Sequence, residues 1–189
     1  MESGASIANE LRQAIAGEPW HGPSLEQLLE GLTAVDAAAH PVPGAHSVWE
    51  LVAHLTTWAT VAQRRLAGHP VEPTSAEDWP PQPAIADAEA WTVAQDQLAA
   101  AFFDLASAAE DLTDAELDAM VPGRSHDARV LLHGTSQHAA VSRRTDRDPA
   151  ARARRRVSPA RSRRALVRFA RMQHECDRAH RHTDCGHSH

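Results

Sequence analysis

The 189-residue chain contains no lysine, and its two cysteines, Cys176 and Cys185, both fall in the last fifteen residues. Cysteines so placed cannot staple the main body, so disulfides say nothing of the compartment. The missing lysine, beside so much alanine and arginine, reads as a GC-rich coding bias rather than a physical choice of guanidinium over ammonium. No run of about 18 apolar residues occurs, which excludes a helical membrane span. Residues 1–10 hold two glutamates and no basic group, unlike a secretory signal, which opens with positive charge. A soluble cytoplasmic protein without a membrane partner is therefore expected. No stretch alternates polar and apolar residues over a strand's length, so no sheet is expected either.

Hydrophobic residues make up 42% of the chain, too many for wholesale disorder. They recur at helical spacing. Residues 7–16 carry one apolar stripe that stops before Gly17, with Pro19 beyond. Ser24 and Gln27 form a capping box for a second helix with Leu25, Leu28, Leu29, Leu32 and Val35 as its buried stripe. Ser47 and Glu50 box a long helix that runs to Ala67, with Val48, Leu51, Val52, Leu55, Trp58, Ala62 and Leu66 inward. Residues 69–83 hold five prolines and read as an ordered loop. Residues 87–111 form a strong helix, Thr113 and Glu116 box a short one, and residues 126–140 are periodic again through Val130, Leu131 and His138. The fold predicted is all-α: an up-and-down four-helix bundle with a short extra helix, over residues 5–142, followed by a tail.

Charge divides at the same place. Residues 1–140 hold 5 Arg against 20 Asp/Glu, whereas residues 141–189 hold 14 Arg against 5 Asp/Glu. The later stretch has one leucine and no isoleucine or tryptophan, so residues 143–189 are expected to be a disordered tail.

Two motifs carry chemistry. His46-Ser47-Val48-Trp49-Glu50-Leu51-Val52-Ala53-His54 opens the long helix, and Leu131-Leu132-His133-Gly134-Thr135-Ser136-Gln137-His138 lies on the last one. With Trp20-His21-Gly22-Pro23 and Val121-Pro122-Gly123, these stretches resemble the DinB-like family of four-helix bundles with a metal-binding histidine triad. The resemblance implies that His54 is one metal ligand. It implies that His138 is the first of an H-x-x-x-H pair whose second member falls at Ser142. Residues four apart on a helix lie about 40° apart around its axis, so such a pair grips one ion, and a facing histidine closes the triad. Three protein ligands leave room for water or a thiolate.

With His54 and His138 alone the site is depleted. A hydroxyl at Ser142 is a weak ligand. His133 stands about 140° from His138 around the helix. Glu50, one turn before His54, could donate a carboxylate, but its capping-box role competes, and His46 and His133 are expected to cap or pack. The cofactor expected is a divalent metal (zinc, nickel or iron), held weakly or lost. The resemblance implies a metal-dependent thiol transferase or hydrolase with an impaired site, acting on a small thiol or another small molecule. The alternative is a non-catalytic, stress-related binding protein that has lost its metal. If the last helix stops short, partner helices expose apolar faces, and a homodimer would hide them.

The tail admits further readings. Residues 143–149 have an allowed codon choice that, read one base later, encodes Gly-Gly-Gln-Ile-Ala-Thr-Leu. The family continues past its histidine pair with much the same Gly-Gln-Ile and a following alanine. An out-of-frame tail predicts that a single-base shift near codon 141 of the gene restores the family pattern. An arginine arm for nucleic acid is disfavoured, since Phe169 is the tail's one aromatic residue. A zinc site from His174, Cys176, His180, His182, Cys185, His187 and His189 lacks the usual spacing. A basic tail without a selected role is the simplest account.

Overall fold

The computed structural model describes residues 3–19 and 22–140. Those residues are helical, in eight helices, with no strand beyond one isolated antiparallel bridge between Met120 and Asp127. The helices are α1 (Gly4–Ala16), α2 (Leu25–Leu29), α3 (Ala34–Ala38), α4 (Val48–Leu66), α5 (Ser75–Asp78), α6 (Ala88–Glu110), α7 (Asp114–Leu117) and α8 (Ala128–Ala140).

Capping chemistry starts nearly every one. Ser47 Oγ accepts from the Glu50 N–H while the Glu50 carboxylate accepts from the Ser47 N–H, and Arg64 and Arg65 complement the dipole in the last turn of α4. Asp87 caps α6 by accepting from the Ala90 N–H. At the start of α1 the chain passes so close to the end of α6 that a Cβ on Gly4 would collide with the Ala109 carbonyl oxygen. The four longest helices share one core, in which α1 and α4 each pack against both α6 and α8. Ile7, Leu11, Leu51, Leu55, Leu98, Phe102, Leu105 and Leu132 are among its largest fully buried members.

Three expectations change. The helix predicted to run from Ser24 through Val35 is broken in two. Gly31 adopts φ +71°, open to glycine at little cost, and Thr33 caps α3 by accepting from the Asp36 N–H. The Trp91 indole N–H pins the connector by donating to the Leu32 carbonyl at 3.0 Å. Val35 consequently faces solvent, 70% exposed. The proline-rich loop contains α5, started by a capping box between Thr74 and Glu77. Val130, placed in the periodic stripe of the last helix, is exposed.

No helix among the described residues is long and apolar enough to cross a membrane. The tail at 143–189, with its predicted disorder and its cysteines and histidines, lies outside the described residues, as do Ser142, Trp20 and His21.

Candidate metal centre

Periodicity along α4 sends His54 inward with Leu51 and Leu55, and its side chain is 4% exposed. Across the core, α8 delivers His138. The two imidazoles meet edge to face, with ring centroids 5.1 Å apart and planes at 85°. These are the two histidines that the sequence motifs singled out, and they lie more than eighty residues apart in the chain.

His54 is held by the loop between α4 and α6. Its Nδ1 lies 2.7 Å from the Asp78 carbonyl oxygen and 3.1 Å from Asp78 Oδ1. A carbonyl can only accept, so Nδ1 carries the proton and the ring's lone pair falls on Nε2, which is buried. Trp58 Nε1 donates to Asp78 Oδ1 at 2.6 Å and fixes that carboxylate in turn. Trp79 stacks on the His54 ring at 3.9 Å, and its other face stacks on His46 at 3.5 Å. Asp78 and Trp79 therefore buttress His54 from the side and from above.

The loop bearing them is tied down at both ends. Arg65 donates from Nε and Nη2 to the Val71 carbonyl at 3.1 and 3.0 Å. Gln82 donates to the Ala38 carbonyl and accepts from Ser47 Oγ.

Other histidines serve elsewhere. His40 Nε2 and His46 Nδ1 both lie 3.2 Å from Glu50 Oε2, the oxygen that also accepts from the Ser47 N–H. Burial pushes the Glu50 carboxyl up, but the Ser47 N–H, His40 and His46 together outweigh it and hold the group below the ordinary carboxylate range. His133 Nδ1 lies 3.0 Å from Glu10 Oε2, and Ser136 donates to Glu10 Oε1 at 2.7 Å, so both side chains face α1.

His54 suits a metal ligand in one respect: ligating imidazoles characteristically donate their second ring N–H to a carbonyl or carboxylate. The donor set does not suit a complete centre. Among the described residues no group of three or more His, Cys, Asp and Glu side chains is placed to hold one ion. Asp78 is on the Nδ1 side of His54, where it orients the ring, and Glu50 is committed to its cap and two histidines.

The motifs point to His54 and His138 but not to Asp78, which lies in the proline-rich loop. The signal that could have drawn attention to it was the Thr74-Ser75-Ala76-Glu77 capping box just before it.

No curated protein and no solved structure matches the chain. The family model of the DinB superfamily matches residues 20–145, a stretch that includes α4, α6, α8, His54 and His138. The chain belongs to the DinB superfamily.

Proposed function

We propose that this protein is a divalent-metal-binding member of the DinB superfamily whose site is reduced to His54 and His138. The observation that carries the reading is the setting of His54: Asp78 holds Nδ1, and the ring lies edge to face with that of His138, their centroids 5.1 Å apart. That is the preparation an imidazole needs to ligate through Nε2. A bound zinc, nickel or iron ion would act as a Lewis acid toward a thiol or a water. Two imidazoles fall one short of the three-ligand centres that catalytic metals use, so metal-dependent thiol transfer or hydrolysis is impaired in this chain.

A second reading has an observation of its own. The absence of a third donor among the described residues favours a non-catalytic, stress-related binding protein without metal.

Metal content by mass spectrometry separates the two, on the full chain purified without tag or chelator and on His54→Ala. About one zinc, nickel or iron per chain, lost in His54→Ala, is the expected result. Metal retained undiminished in His54→Ala, or no metal in either, would overturn the reading.

A further inference from the structure

Residues 1–140 hold five arginines among twenty acidic groups, and three of the five, Arg64, Arg65 and Arg124, gather at the C-terminal end of α4. Arg129 and Arg12 are spent on surface carboxylates, Arg129 on Asp114 and Asp118 and Arg12 on Glu110. Arg65 differs from the rest. Its side chain is only 5% exposed, its guanidinium lies 5.5 Å above the Trp58 ring, and its Nε and Nη2 hydrogens point at the Val71 carbonyl. Arg124 arrives from the turn before α8 and donates to the same carbonyl at 3.5 Å.

Two guanidiniums at one carbonyl repel each other. The cost falls on Arg65, whose cation is disfavoured first by burial and then by Arg124. The charge set between them is the Glu72 carboxylate. It pairs closely with Arg124, lies 3.7 Å from Arg65 Nη2, and is 70% exposed. One exposed side chain thus supplies one negative charge to two cations, the deeper of them held in a fixed orientation. A planar guanidinium meets a carboxylate or phosphate through paired N–H donors, and here two of them converge on one carbonyl and one carboxylate.

We propose that Arg65 and Arg124 form an oxyanion-binding subsite, and that Glu72 is its internal occupant, displaced when a ligand's carboxylate or phosphate group binds. The subsite adjoins Trp58, which holds Asp78 and through it His54, so an anion here sits at the outer end of the same α4 face. Anion binding at this corner does not depend on a metal at His54.

The test follows the Trp58 indole N–H resonance of the full chain, assigned with Trp58→Phe. Inorganic phosphate and acetate are titrated separately at constant ionic strength. In Glu72→Gln a saturable shift is expected at about tenfold lower anion concentration than in the unaltered chain, since the competing carboxylate is gone. Adding Arg124→Gln to Glu72→Gln removes the shift while helical circular dichroism is kept. Saturation by phosphate alone or by acetate alone assigns the group the subsite takes. No saturable shift with either anion, or a midpoint indifferent to Glu72 and Arg124, overturns the proposal.

Discussion

Glu50 accepts from the Ser47 N–H and stands 3.2 Å from two imidazoles, so its charge links the start of α4 to the segment before it. A carboxyl whose folded pKa lies below its unfolded value of 4.5 contributes stability above that pH and loses it as pH falls through the folded value. Glu50→Gln keeps the reach of the side chain and removes the charge. It should cost about 1 kcal/mol at pH 7. In urea melts at pH 7 and below pH 4 the gap between variant and parent should close at the acid end. A constant gap would show that the carboxylate's charge is irrelevant. Asp78 matters at the same scale through His54. Asp78→Ala removes Oδ1 but leaves the carbonyl, and metal affinity should fall by about tenfold, at the low end for such supporting groups. Equilibrium dialysis with zinc reads this directly, and an unchanged affinity would separate Asp78 from the site.

At the scale of elements, the caps of the second, long and short helices and most of the core stripes were legible, Val35 and Val130 being the stripe residues that face solvent instead. Ser47 with Glu50 and Thr113 with Glu116 start helices where the spacing predicts them, because a cap is a contact over three residues. The second helix falls short of its predicted length because Gly31, tolerated within a helical pattern, is here a left-handed stop held by Trp91 from α6. Thr33→Ala removes the cap that restarts the chain as α3 and should cost about 1 kcal/mol. Phe102, fully buried on α6, the helix that packs against both α1 and α4, is a larger matter. Phe102→Ala should cost about 3–5 kcal/mol, since the rigid surroundings leave a cavity. Chemical denaturation of both variants checks the order. Thr33→Ala as costly as Phe102→Ala would mean that the connector, not the core, limits stability.

For the whole molecule, the excess of negative charge matters most. Twenty acidic residues against five arginines within residues 1–140 repel one another at low ionic strength. Raising sodium chloride from about 20 to about 300 mM should lift the melting temperature by about 2–4 °C. A fall instead would show that surface pairs such as Arg12 with Glu110 outweigh the repulsion.

Helix content, the positions of the long helices, the charge divide near residue 140 and the family could all be read from the chain, because they rest on spacing and composition. So could His54 and His138 as residues of interest, through their motifs. That their rings meet, that Asp78 fixes the His54 tautomer, and that Arg65 and Arg124 share one carbonyl and one carboxylate were settled only by the packing of helices and loops. Most of these contacts join residues from about 20 to over 80 positions apart, and those of Arg65 with Val71 and Glu72, though close in sequence, depend on how the loop after α4 turns back. Neither distance along the chain nor local periodicity encodes such a meeting. It follows from which apolar faces must be covered, and by what.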